Sequence, residues 1–186
     1  MNCKYKHNEC KRCYCSNCDL VAVVDDNCHR QMMSVPKYVP MEKGLYRLSV
    51  QVWIKCPCLH GLYLLQKRSP NVGYNPNMWS PLTGGVKADE DVVTTIHREA
   101  KEELGISLTN LKFIDRCKRD EYFEEVWYAE LIPEYSDTEY PGVKFALQKE
   151  EVDAIIFVDN LGIKQYFDEG TLADNSYFKT HILELI

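Results

Sequence analysis

The chain has no long hydrophobic run. Over its 186 residues the longest apolar stretches, near 20–24 and 154–158, fall far short of the roughly 20 residues a spanning helix needs, so no membrane segment is expected. The N-terminus also lacks the apolar stretch of a secretory leader, and a cytoplasmic protein is expected. Without secretion, the nine cysteines, an odd number, are expected to be reduced rather than bridged. Internal repeats and coiled-coil heptads are absent. Basic residues are scarce at the end of the chain: residues 120–186 carry four Lys and Arg against sixteen Asp and Glu. That deficit argues against a nucleic-acid partner, because such binders need a broad basic face to displace counterions. Residues 45–119 are net basic, with eleven Lys and Arg against seven Asp and Glu. At 45% hydrophobic and 27% charged, the composition is that of a single globular domain able to bury a core.

Between 91 and 104 there is no proline and no glycine, Asp91 stands in a first turn, and Gly105 stands where a C-cap glycine belongs. The spacing predicts a helix over 91–104, with Val93, Ile96, Ala100 and Leu104 as its core-facing stripe. Glu99, Glu102 and Glu103 fall at i, i+3 and i+4 on another face. Like charges at those spacings repel by roughly 0.2–0.5 kcal/mol per pair, near the negative end of the helix dipole. Lys101 lies off that face and Arg98 is a single residue, so a hard divalent cation, Mg²⁺ or Mn²⁺, is the natural neutraliser. A solvated acidic face is the plainer alternative.

The residues around the cluster add a formula. Gly84, five residues, Glu90, seven residues, then Arg98-Glu99-Ala100, Glu102-Glu103 and Gly105-Ile106 match the Nudix box at every defined position. The chain thus resembles the Nudix hydrolases. The resemblance implies an α/β/α sandwich around a central mixed sheet, hydrolysis of a diphosphate bond in a nucleoside diphosphate derivative or similar organic diphosphate, and a Mg²⁺ or Mn²⁺ cofactor. It implies Glu99, Glu102 and Glu103 as metal carboxylates, with a backbone carbonyl of the glycine pair, at Gly84, as a further ligand. Glu90, Arg98 and Gly105 become structural residues, Arg98 orienting carboxylates rather than touching phosphate. The box glycine is here the first of the Gly84-Gly85 pair, and Asp89 stands where many relatives have glycine.

Elsewhere, residues 45–55 and 62–68 read as strands joined by a turn at Leu59-His60-Gly61. The order LLQKRS, NPNMWS, GG resembles a Nudix branch that includes isopentenyl-diphosphate isomerase. That isomerase needs a catalytic cysteine near the position of Trp79-Ser80-Pro81-Leu82, where this chain has none, so hydrolysis is preferred over isomerisation and over a non-catalytic binding module. Lys67 and Arg68, at a strand end, are candidates for substrate phosphates. Residues 111–117, 124–131 and 151–158 read as strands, and 161–167 and 176–185 as helices. Tyr135, Tyr140 and Phe145 lie on a polar loop and are candidates to stack on a base, with an ordinary surface loop as the alternative. Glu150 or Glu151, just before a strand, is a candidate further ligand or general base, as is Glu103; Glu102 also enters the catalytic set.

Residues 18–34 read as an N-terminal β-hairpin of the domain spanning 18–186, preceded by a polar cysteine-rich segment over 1–17. Cys10, Cys13, Cys15 and Cys18 are spaced CxxCxCxxC, too tightly for two zinc-binding halves to converge, so reduced thiols are expected there. The partner expected is a small-molecule diphosphate; a homodimer is compatible with the sequence.

Overall fold

A computed structural model describes residues 20–37, 39–133 and 143–173. In chain order these form strands β1 (Leu20–Asp25), β2 (Arg30–Pro36), β3 (Leu45–Cys56), β4 (Leu62–Arg68), β5 (Trp79–Ser80) and β6 (Leu82–Gly85). Helix α1 (Val92–Glu99) follows and runs on as a π-helical turn over Ala100–Leu104. Then come β7 (Leu108–Lys118), β8 (Tyr122–Leu131), β9 (Val152–Val158) and helix α2 (Asn160–Asp168). The cysteine-rich segment, Tyr135, Tyr140 and the helix expected over 176–185 lie outside the described residues.

Alternation along β3 sets the layers. Leu48, Val50, Val52 and Ile54 turn to one face, where they meet Ile96, Ala100 and Leu104 of the α1 segment. Trp53 turns to the other and packs with Tyr63, Leu65 and Ile163, the last from α2. A strand apolar on both faces must be covered on both, and it is: one helix lies on each side of the sheet. The α/β/α sandwich expected from the sequence is the observed architecture.

The sheet is mixed because β3 is shared unequally. One edge runs parallel to β8 from Arg47 to Lys55. The other edge is divided end to end among three antiparallel partners: β1 near Arg47, β6 from Ser49 to Val52, and β4 from Ile54 to Cys56. β2 extends the sheet beyond β1, β7 beyond β8, and both β5 and β9 pair with β4. Since β6 ends at Gly85, the chain leaves the middle of the sheet there and loops into α1. Among the described residues no helix is long and apolar enough to cross a membrane.

Two features of α1 depart from the sequence reading. The core row is Ile96, Ala100 and Leu104 continued back to Val92, a strict four-residue step, which leaves Val93 43% exposed. The expected helix over 91–104 also changes its winding at Ala100. Such widened turns recur at functional sites. The end is a glycine cap: Gly105 has φ 73°, its N–H donates to the Lys101 carbonyl (3.1 Å) and that of Ile106 to the Ala100 carbonyl (3.1 Å). A Cβ at Gly105 would run into the backbone of Ala146, because the segment after 142 docks on this end. Ala146 N–H donates to the Leu104 carbonyl (2.9 Å) and Gln148 N–H to that of Glu103 (3.0 Å).

Candidate active site

The loop from Gly85 to Asp91 is held from three directions. Asp91 is the N-cap of α1, its carboxylate accepting from the Thr94 N–H at 2.7 Å. Strand β1 grips the loop's start, with Ala88 N–H donating to the Leu20 carbonyl at 2.9 Å. From β2, the Arg30 guanidinium donates to the carbonyls of Glu90 (2.5 Å), Lys87 (2.9 Å) and Ala88 (2.7 Å). Three carbonyls on one guanidinium fix the curvature of the loop.

Inside that frame, Arg98 commits every nitrogen. Its Nε donates to both Glu90 oxygens (2.8 and 3.0 Å), Nη1 pairs with Glu99 and Glu102 (2.9 Å each), and Nη2 donates to the Gly85 carbonyl (3.2 Å). Thr95 Oγ1 adds a bond to Glu90 at 2.9 Å. Burial works upward on Glu90, but the bonds from Arg98 and Thr95 outweigh it and hold its carboxyl below the ordinary value. For Arg98, desolvation works against its charge, yet Glu90, Glu99 and Glu102 hold its pKa above the ordinary value. Arg98, read from the sequence as a lone charge, therefore reaches two of the three clustered carboxylates.

Glu99 lies across Gly84. A Cβ at that position would stand inside the Glu99 side chain, so only glycine lets the carboxylate rest on the loop backbone. Burial pushes the Glu99 carboxyl up, with Arg98 and Lys37 pulling it back. Glu103, 5% exposed, faces the sheet, where its Oε2 accepts from Gln66 Nε2 of β4 at 2.8 Å. Burial, the charge of Glu99 and the neighbouring Glu151 raise it to about 8, against the bond from Gln66. Glu151 sits at an exposed turn beside Glu103, and Ser69 N–H donates to its carbonyl at 2.8 Å. Glu150 is exposed on the same turn.

The structure thus brings together Gly84, Glu90, Arg98, Glu99, Glu102, Glu103 and Glu151, but unequally. Glu102 is half exposed and turned to Arg98, and among the described residues no three His, Cys, Asp or Glu side chains enclose a cation as they stand. Lys67 and Arg68 do not join the group. Lys67 alternates with Gln66 and so shares the α2 face with Leu65, while Arg68 Nε donates to the Tyr74 carbonyl at 2.9 Å and clasps its own loop. Phe145 packs edge-on against Phe157 (centroids 6.1 Å apart) on the core rather than standing free to stack on a base. Sequence reasoning missed Arg30, Lys37 and Gln66. Gln66 left a weak signal, a glutamine that follows Leu64 on the same face of its strand; Arg30 and Lys37 left none.

The sandwich and the site define a protein that sets a glycine-started acidic loop and helix against one face of a mixed sheet. The NUDIX domain model matches residues 46–170, and the chain belongs to that family. It is 31% identical over 112 residues to the NAD-capped RNA hydrolase NudC of Pseudomonas aeruginosa, covering 59% of this chain and 35% of that protein. It is 37% identical over 70 residues to the nucleoside triphosphatase NudI of Klebsiella pneumoniae, covering 37% of this chain and 49% of that protein. The chain therefore spans less than half the length of these relatives. In fold it is similar to the crystal structure of DR0079 from Deinococcus radiodurans, with a TM-score of 0.64, 15% identity and coverage of 83% and 91% of the two chains. A NUDIX-family hydrolase from Clostridium perfringens gives a TM-score of 0.52 at 18% identity, covering 75% and 97%.

Proposed function

We propose that the chain hydrolyses a diphosphate bond in a nucleoside diphosphate derivative or similar organic diphosphate, using Mg²⁺ or Mn²⁺. One observation carries the reading: Glu103 is buried, Glu99 is largely so, and the charge of Glu99 acts on Glu103, with Glu99 laid over Gly84. Burying like charges is costly unless a positive charge is shared between them. The donors are all hard oxygens, which suits a divalent hard cation. Glu99, Glu102 and Glu103 would hold it, with the Gly84 carbonyl as a further ligand. When bound, such an ion neutralises bridging phosphates and lowers the pKa of water.

The protein's own groups do the rest. Arg98, with all its nitrogens committed, keeps Glu99 and Glu102 in place and stays off the substrate. Glu103 and Glu151, in hydrogen-bonding reach of one another, are the candidates to take the proton from the attacking water. Substrate classes to screen include nucleotide sugars, dinucleotides, prenyl diphosphates, nucleoside triphosphates and NAD-capped RNA, the last two prompted by the names of the relatives. On the best substrate, Glu102→Gln is expected nearly to abolish Mg²⁺-dependent release of phosphate-containing product. Wild-type turnover in that variant would sink the assignment.

A further inference from the structure

The polar residues of β4 and β5 form a second layer behind the acidic cluster. Gln66 is 3% exposed and Ser80 1%, and the two are directly paired across the strands. Gln66 spends its amide nitrogen on Glu103 Oε2 at 2.8 Å. Its Oε1 and the Ser80 Oγ are both buried without a hydrogen-bond partner. Side chains directly opposite on paired strands have Cβ atoms about 4.5–5.5 Å apart, and a hydroxyl proton rotates to suit its acceptor. The two paired side chains thus each keep one polar atom unbonded, and the amide nitrogen of Gln66 is the group that reaches the acidic cluster.

We infer that Gln66 is a positioning residue for Glu103, aiming the carboxylate through its amide N–H. The chemistry of the side chain explains the choice. A carboxylate meant to face a cation must be aimed without being neutralised. Arg98 aims Glu99 and Glu102 but brings a full positive charge; an amide N–H aims Glu103 and brings none. Lysine or arginine at 66 would compensate the charge, and an apolar residue would leave the carboxylate free to turn. With the amide reversed, Gln66 would present oxygen to a carboxylate.

The inference rests on the metal-site reading above, and its test separates the two. Mn²⁺ binding is followed by electron paramagnetic resonance in the full chain, alongside turnover of the best substrate and a thermal melt. Loss of an outer partner of a ligand typically weakens metal affinity or activity by about 10–100-fold. Gln66→Met, which keeps volume, is expected to weaken Mn²⁺ binding in that range and lower kcat with KM little changed. A folded Gln66→Met protein with wild-type Mn²⁺ affinity would overturn the role. If the wild type binds no Mn²⁺, the metal-site reading fails first. A double-mutant cycle of Gln66→Met with Glu103→Gln on the unfolding of the metal-free protein then still decides the contact, additivity overturning it.

Discussion

The two sides of the acidic helix, one facing the loop and one facing the sheet, handle negative charge in opposite ways. On the loop side, Glu90, Glu99 and Glu102 gather around one guanidinium, and Glu90 is held ionised by it. On the sheet side, Glu103 is more deeply buried, accepts from a neutral amide with Glu151 and the charge of Glu99 beside it, and its carboxyl is driven upward to about 8. The loop side is thus a finished ion network that gives shape. The sheet side buries a carboxylate that no cationic side chain among the described residues is shown to pair with, and it is there that the proposed cation would compensate most.

The largest break in this contrast is expected from Gly84→Ala. The added methyl falls on Glu99 and must push it off the loop, and a misplacement of about 1 Å can cost on the order of 100-fold in rate. Steady-state turnover with Mg²⁺ reads this, and Gly85→Ala, whose Cβ would meet Val21 only at ordinary contact distance, serves as the milder control. Next, Arg98→Met leaves Glu90 and Glu99 partly buried without their counter-charge. Removing one partner of such a group costs about 3–5 kcal/mol, so urea unfolding should show a marked loss.

The two sides should also respond to pH with opposite sign. Glu103, with a raised pKa in the folded state, binds its proton more tightly when folded; its contribution is fully present below the ordinary carboxylate value and is lost as pH rises towards about 8. Glu90, with a lowered pKa, contributes above the ordinary carboxylate value and loses that contribution as pH falls through its folded value. Unfolding of the metal-free protein across pH 3 to 9 separates them. Glu103→Gln should flatten the alkaline limb and Glu90→Gln the acid limb; a Glu103→Gln profile identical to wild type would remove the contrast. The smallest effect is expected from Arg30→Gln, about 1 kcal/mol for exposed charge-assisted bonds, seen as a modest fall in melting temperature.

Local pattern made much of this legible. The apolar step at Ile96, Ala100 and Leu104, the Asp91 cap and the Gly105 cap each depend on neighbours within a few turns, and the strands at 45–56 and 62–68 announce themselves by composition. Errors arose where a choice depended on the third dimension. Val93 and Val92 fit the stripe equally until the sheet selects one, and Lys67 and Arg68 look like a pair although adjacent strand residues face opposite ways. Gln66 meets Glu103 across 37 residues and Arg30 meets its carbonyls across 57 to 60, separations at which no periodicity speaks.

The reach of Arg30 bears on where this domain can be cut. The stretch recognisable by kinship begins at residue 46, whereas the strand and the guanidinium that curve the loop belong to residues 20–36. A fragment trimmed to the kinship boundary would keep every box residue and lose the brace that shapes the turn before them. The matched family domain and the folded unit are therefore offset by one hairpin, and expression boundaries are best drawn around the folded unit.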